Sequence, residues 1–378
     1  MRRRLTVLQL LPALDAGGVE RSTLEVAEAL ARAGHRALVV SAGGRMVEAL
    51  HAVGGEHVAL DIGRKSPSVL RQVPALRRLL ARERVDVVHA RSRLPAWIGR
   101  LALRGLPAAA RPRWVTTVHG LNSPSRYSAV MASGERVICV SDTVRDYVLA
   151  HYPRTDPARL RVVPRGVDPS RFPRAPWPDR AARAQVAALH PALAGDGPLL
   201  LLPGRGTRLK GHADALHLLA ALRADGSDAR LWLPGARQAG RDDYLDALQR
   251  EAGALGIADA LAITEPTAAI AAAYAASDLV LQLSRKPEAF GRTVLEALSV
   301  GRPVLGWAHG GVGELLHAWQ PSGAVPPFDA AALAARARAL LAAPPAPPTP
   351  FPDTLRAMQD ATLAIYHELT DERPEPHA

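Results

Sequence analysis

Leu279-Val280-Leu281-Gln282-Leu283, then Ser284-Arg285-Lys286-Pro287-Glu288-Ala289-Phe290-Gly291, then Arg292-Thr293-Val294-Leu295-Glu296-Ala297-Leu298 is the stretch that decides the fold class. A short aliphatic run suits a strand buried on both faces. Proline and glycine then punctuate a loop, and Val294, Leu295 and Leu298 return at helical spacing. The same strand, loop and helix rhythm runs through the chain. It predicts strands over 5–11, 37–41, 57–60, 85–89, 114–118, 137–140 and 160–163, then over 199–202, 230–233, 261–264, 279–283 and 303–306. A helix is predicted over 19–33, ended by Gly34, and others begin near Gly211, Asp242, Thr267 and Gly291. Strands alternating with helices, rather than grouped apart from them, give an α/β protein with doubly wound parallel sheets.

The chain has 378 residues, enough for two domains and long for one. Proline density rises and periodicity lapses through Pro164, Pro169, Pro173, Pro176 and Pro178, which places the boundary near residue 175. The expected organisation is two Rossmann-like domains, 1–175 and 176–350, facing across a cleft, with a helix and tail over 351–378. A proline-rich stretch, 343–352, precedes a packing helix over 353–370 anchored by Leu355, Met358, Leu363 and Ile365. Residues 371–378 form an acidic tail.

Hydrophobic residues make up 48% and charged residues 22%, which excludes disorder and collagen-like structure. The single cysteine, Cys139, lies in an apolar run, so it forms no internal disulfide and is read as a buried, inert thiol. Lysine occurs at Lys65, Lys210 and Lys286 alone against 44 arginines, so each lysine carries more information than each arginine. The net charge of +11 divides unevenly: residues 1–175 carry +15 and residues 176–378 carry −4. No run approaches the ~18 to 20 apolar residues of a membrane span. Met1 to Arg4 followed by 5–14 imitates a signal peptide, but Thr6 and Gln9 interrupt it and no small-residue cleavage site follows. The segment is read as a first buried strand, and the protein as cytoplasmic.

Three loops carry candidate chemistry. Gly17-Gly18 lies between the first strand and its helix, as a tight turn or as a place where backbone approaches an anion; the GxGxxG spacing of a dinucleotide site is missing. Arg205 and Lys210 end the loop after the strand at 199–202, where a forked guanidinium and a compact ammonium could clamp a diphosphate. Lys210 precedes Gly211 and His212, which is not P-loop order. In the opening stretch Glu288 stands at a helix mouth and Glu296 inside the helix, separated along the axis by at most roughly 12 Å. That span fits an extended ligand such as a sugar nucleotide and exceeds the roughly 5 to 9.5 Å of a glycosidase carboxylate pair. Asp242-Asp243 is not the Asp-x-Asp of metal-dependent transferases, and no metal-ligand cluster is seen, so neither metal nor cofactor is expected.

Gly17-Gly18, Arg205-x4-Lys210-Gly211, and Glu288-x7-Glu296 enclosing Phe290-Gly291 together resemble the retaining glycosyltransferases of family 4, which have the GT-B fold. The likeness covers nearly the whole chain. His89-Ala90-Arg91-Ser92-Arg93 and Thr116-Thr117-Val118-His119-Gly120 look most like lipopolysaccharide core transferases of Gram-negative bacteria. The resemblance implies that Glu288 contacts hydroxyls of the transferred sugar, with Phe290, Gly291, Arg292 and Thr293 nearby. Arg205 and Lys210 would neutralise the diphosphate, and Glu296 would hold the ribose. Gly17 and Gly18 would line the diphosphate from the opposite domain, and His119 would face sugar and acceptor. The implied reaction moves a hexose, glucose from UDP-glucose, to a lipopolysaccharide core or other lipid-linked glycan. Leu209 and Arg292 depart from the common family pattern and bear on donor choice.

Residues 64–84 hold Arg64, Lys65, Arg71, Arg77, Arg78, Arg82 and Arg84 around Leu70, Val73, Leu76, Leu79 and Leu80. This basic amphipathic segment is expected to rest on anionic headgroups at the cytoplasmic face of the inner membrane, or else to be a solvated arginine face. Nucleic acid is not an expected partner, because aromatic residues are 4% and none cluster among the arginines. The alternatives are a GT-B sugar-nucleotide epimerase and a family 4 transferase with a different lipid or polysaccharide acceptor.

Overall fold

The computed structural model describes residues 3–15, 17–349 and 354–371. Ala16 of the first glycine loop, residues 350–353 and most of the tail, 372–378, lie outside the described residues. The chain divides into two compact units, one of Met1–Pro164 with Leu355–Ala378 and the other of Arg165–Thr354.

The first unit is a seven-stranded parallel sheet. Its strands are β1 (Thr6–Leu10), β2 (Arg36–Ser41), β3 (Glu56–Ala59), β4 (Val87–Ala90), β5 (Arg113–Val118), β6 (Arg136–Cys139) and β7 (Leu160–Val162). Five helices connect them: α1 (Gly18–Arg32), α2 (Val47–Ala52), α3 (Gln72–Arg82), α4 (Arg93–Arg104) and α5 (Asp142–His151). The spatial order is β3-β2-β1-β4-β5-β6-β7, so the winding reverses between β1 and β4. Gly34 closes α1 as expected: its N–H bonds Ala31 O at 3.0 Å, and the His35 N–H reaches back to Leu30 O at 2.8 Å. Cys139 is fully buried, and burial pushes its thiol up to about 12, which makes it unreactive.

The second unit holds α6 (Arg180–Leu189), β8 (Leu199–Leu201), α7 (His212–Ala224), β9 (Arg230–Pro234), α8 (Asp242–Ala254) and β10 (Leu261–Thr264). It continues with α9 (Ile270–Ala276), β11 (Leu279–Gln282), α10 (Arg292–Val300), β12 (Val304–Trp307), α11 (Gly310–Trp319), β13 (Ala324–Val325) and α12 (Ala330–Ala342). Its parallel order, β10-β9-β8-β11-β12-β13, reverses between β8 and β11. Leu200, Leu231, Leu281 and Leu305, one from each central strand, share a core with Leu216 and Leu219 of α7.

The expected boundary at 175 meets a different division at 164, and named contacts account for it. Ser299 Oγ donates to Phe172 O at 2.8 Å, the Ala175 N–H to Val300 O at 3.1 Å, and the buried Arg302 donates to Pro176 O at 2.6 Å. These bonds attach 172–176, prolines included, to α10 and to the loop ahead of β12. Proline density marked irregular chain, and irregular chain here belongs to a domain.

The last helix, α13 (Leu355–Asp371), packs on the first unit. Met358 and Ile365 are buried there as expected, and Tyr366 and Leu369 are buried with them, while Leu355 and Leu363 are only partly covered. Tyr366 OH lies 2.6 Å from His89 Nδ1, and Gln359 Nε2 donates to Glu25 O at 2.7 Å. His35 and His367 face each other at 3.2 Å, and because His35 Nδ1 accepts the Leu5 N–H, its Nε2 carries the proton between them.

The basic segment 64–84 does not expose an apolar face. It forms a short turn, Pro67–Arg71, and then α3, which packs on α4 and buries Leu76, Leu79 and Leu80. Leu70 alone of the five apolar residues named for this segment is exposed; Arg77 turns inward to donate to Ala102 O at 3.3 Å. Helical periodicity identifies an apolar face and leaves open whether protein or lipid covers it, and here protein does. No helix among the described residues is long and apolar enough to cross a membrane.

Candidate functional site

The second unit assembles its site at the C-terminal ends of β8 and β11, the two strands between which the winding reverses. Loops diverge at such a point and leave a crevice, the usual ligand position of open α/β sheets. After β8 the chain passes Arg205 and makes a tight turn over Arg208–Lys210. It enters α7 through Gly211, whose φ of +75° lies in the left-handed region. A Cβ on Gly211 would collide with the Leu283 carbonyl just past β11, so a glycine is needed for the two loops to meet.

That approach brings together two residues 78 apart in sequence. Lys210 Nζ lies 2.6 Å from Glu288 Oε1, with each side chain 26% exposed. The buried Ser284 donates a short hydrogen bond to the same oxygen, and Gln282 Nε2 points at Oε2 from 3.4 Å. The Glu288 carboxylate is therefore held by an ammonium, a hydroxyl and an amide. Its backbone is held as well. The Gly311 N–H donates to Glu288 O at 2.8 Å, His309 Nε2 donates to Ser284 O at 2.8 Å, and a Cβ on Gly310, at φ +59°, would come 2.6 Å from Glu288 O. The start of α11, invisible in the sequence reading, fixes the loop that presents Glu288.

Phe290 is nearly buried and Gly291 lies at the mouth of α10; Arg292 and Thr293 are its first residues, half-buried, where the helix dipole favours an anion. Glu296, a turn further in, accepts from the hydroxyl of the buried Tyr274 at 3.0 Å. Arg205 is exposed at the loop's outer end. Sequence reasoning missed Arg285, which pairs with Asp214 at 2.7 Å and stacks over Phe328 with its guanidinium carbon 4.9 Å from the ring centre. It also missed Tyr274, whose only signal was an aromatic residue on an otherwise small-residue helix. Asp242 and Asp243 are exposed in the first turn of α8.

In the first unit, Gly17 and Gly18 lie at the start of α1, and the half-buried His119 directly follows β5, all at the C-terminal edge of that sheet. His89 and Arg91, quoted above as part of the resemblance, are internal. His89 bonds Thr117 Oγ1 at 2.6 Å as well as Tyr366, and Arg91 donates to Gln9 Oε1 at 2.7 Å and Ser22 Oγ at 3.1 Å. Both residues tie strands and helices together.

Two family models match the chain: Glycosyltransferase Family 4 over residues 16–171 and Glycosyl transferases group 1 over 190–350. A D-inositol 3-phosphate glycosyltransferase of Geodermatophilus obscurus is 31% identical over 285 residues, which is 68% of this chain. The match covers 59% of that relative, so the chain spans about three fifths of its length. A glycosyltransferase structure from Rickettsia africae is 25% identical with a TM-score of 0.85, covering 98% of this chain and all of that one. Alr3699/HepE of Anabaena, solved in complex with UDP and glucose, shares the fold at 20% identity and a TM-score of 0.75 over 97% of this chain and 95% of its own. With a family 4 domain followed by a group 1 domain, each built on a Rossmann-like parallel sheet, this chain belongs to the GT-B glycosyltransferases.

Proposed function

We propose that the protein is a retaining hexosyltransferase that takes its sugar from a nucleoside diphosphate donor, with UDP-glucose the first candidate. The observation that carries this reading is the Lys210–Glu288 pair at the β8/β11 reversal, beside the start of α10. A diphosphate reaching that point meets the Lys210 ammonium, the Arg205 guanidinium and the N–H groups of Arg292 and Thr293. All of these favour the charge that grows as the glycosidic bond breaks. With Lys210 turned to the diphosphate, the Glu288 carboxylate becomes available to the sugar hydroxyls. Glu296, oriented by Tyr274, is suited to the ribose diol.

In the proposed step the bond from the anomeric carbon to the diphosphate oxygen breaks and the bond to the acceptor oxygen forms on the same face. The acceptor proton passes to the leaving diphosphate. No separate base or metal is assigned to the reaction. Gly17, Gly18 and His119, at the corresponding edge of the first sheet, are assigned to the diphosphate and acceptor.

For the acceptor, a lipopolysaccharide core or other lipid-linked glycan remains the reading drawn from the motifs, with the basic first half serving a phosphorylated, membrane-held substrate at the inner face. The name of the curated relative favours a second reading, a phosphorylated polyol. One experiment tests both: purified protein is incubated with a panel of UDP-, GDP- and ADP-sugars and with truncated lipopolysaccharide or inositol 3-phosphate, and products are read by mass. A hexose added to one acceptor, with inverted anomeric products absent by NMR, is expected. Absence of transfer from every donor, together with unchanged donor binding in Glu288→Ala, would sink the proposal.

A further inference from the structure

In the first unit a cavity of about 440 Å³ opens between the C-terminal half of α4 and the start of β5. Four guanidiniums line it, those of Arg100, Arg104, Arg111 and Arg113, with Glu135 as the one carboxylate. Arg113 begins β5, so the cavity lies at the N-terminal edge of the parallel sheet. Gly17, Gly18 and His119 sit at the opposite edge, and the cavity is therefore separate from the site described above.

The charges in this cavity are not balanced from within. Glu135 is fully committed: Oε2 accepts Arg113 Nη1 at 2.8 Å and Oε1 accepts the Trp114 N–H at 2.8 Å. Arg111 spends one nitrogen on Leu106 O at 3.2 Å. The Nε of Arg113 is buried without an acceptor among the described residues. Arg100 and Arg104 stand four residues apart on α4, hence on one helix face, where like charges repel. Neither makes an ion pair or hydrogen bond among the described residues. Partial burial lowers the Arg100 pKa, and the charge of Arg104 lowers it further, the pattern of a cation short of a counter-charge. The dipole at the C-terminus of α4 accounts for Arg104 in the last turn and leaves Arg100, one turn earlier, without that support.

We propose that this cavity is a binding site for an organic phosphate. Forked guanidiniums match phosphate oxygens two at a time, and a phosphate supplies the acceptors and the negative charge that Glu135 cannot. A bare phosphate would fill little of 440 Å³, a volume within the range of small-ligand sites, so the ligand carries an organic part that lies along the Trp114 wall. Two sources share this chemistry, a soluble phosphoester and the headgroup of an anionic phospholipid.

The test uses the full chain and two probes, glycerol 3-phosphate by isothermal titration and phosphatidylglycerol vesicles by sedimentation, each against sodium chloride at matched ionic strength. Saturable binding weakened at least tenfold in Arg100→Gln/Arg104→Gln, and unchanged in Arg64→Gln/Lys65→Gln, is the expected result. Glycerol 3-phosphate binding that also displaces vesicles identifies a soluble phosphoester as sufficient; vesicle binding alone identifies the headgroup. A second variant, Arg100→Glu, places a carboxylate one turn ahead of Arg104, the favourable order on a helix. It is expected to raise the Tm of the ligand-free protein and to abolish binding. The proposal fails if neither probe binds saturably, if chloride has the same effect, or if the double variant binds as well as the parent.

Discussion

His212 makes the stability of the second unit depend on acid in a calculable way. Its ring is fully buried at the start of α7, with Nδ1 3.0 Å from Tyr244 OH and Lys210 two residues away. Burial first, and the Lys210 charge second, lower its pKa from 6.5 to about 4. Above pH 6.5 the ring is neutral in both folded and unfolded chains and contributes no pH dependence. Below it the unfolded chain takes up a proton that the folded chain refuses, so stability falls with pH until about 4. Between pH 7.5 and pH 5 the loss is about 2 kcal/mol, since each pKa unit corresponds to about 1.4 kcal/mol. For a domain of roughly 150 to 250 residues that is a fall in Tm of about 4 to 8 °C. His212→Gln keeps a polar partner for Tyr244 and does not titrate. Thermal unfolding of both proteins across this range is expected to give curves that converge toward acid, the parent losing its advantage. His35 and His57, also lowered by burial, are common to both proteins and cancel. Parallel curves, or an NMR titration of His212 near 6.5, would refute the reasoning.

Three further outcomes follow from single contacts. Gly211→Ala forces a side chain into a left-handed backbone and a collision with the Leu283 carbonyl; a cost of about 1 to 3 kcal/mol in thermal unfolding is expected, with weaker binding of UDP by isothermal titration. Tyr274→Phe removes the hydroxyl that holds Glu296, and a severalfold higher donor KM at unchanged kcat is expected, whereas an equal fall in both kinetic constants would assign Tyr274 another part. Tyr366→Phe breaks the bond to buried His89 and is expected to cost about 1 to 2 kcal/mol in denaturant unfolding, with α13 amides losing hydrogen-exchange protection first. If protection is lost uniformly, α13 is not a separable element.

Most of the architecture was legible because parallel sheets impose it locally. Strands buried on both faces are aliphatic runs, and β1, β8 and β11 sit within a residue or two of their expected limits. What escaped was short or masked by composition. β13 has two residues, too few for any periodicity, and α11 opens with Gly310, Gly311 and Gly313, which read as loop until they are seen pressed against Glu288 and Phe290. The boundary expected near 175 differs from the division at 164, and the apolar face of α3 is covered by protein, for one reason: composition reports that a segment is irregular or amphipathic and not what it packs against.

Glu288, Lys210 and Glu296 stand out as candidates from residue type and spacing, because a rare lysine and two carboxylates at a helix mouth are local facts. Their relation was not. Lys210 meets Glu288 because β8 and β11, far apart in the chain, are neighbours in the sheet, and Glu296 meets Tyr274 because α9 packs against α10. The sequence by itself determined the elements, their faces and the inventory of charges. Only the tertiary structure decided which charges are paired and which, like Arg100 and Arg104, have no partner among the described residues. Pairing depends on strand order and helix packing, and these are settled by the burial of surfaces distant in sequence.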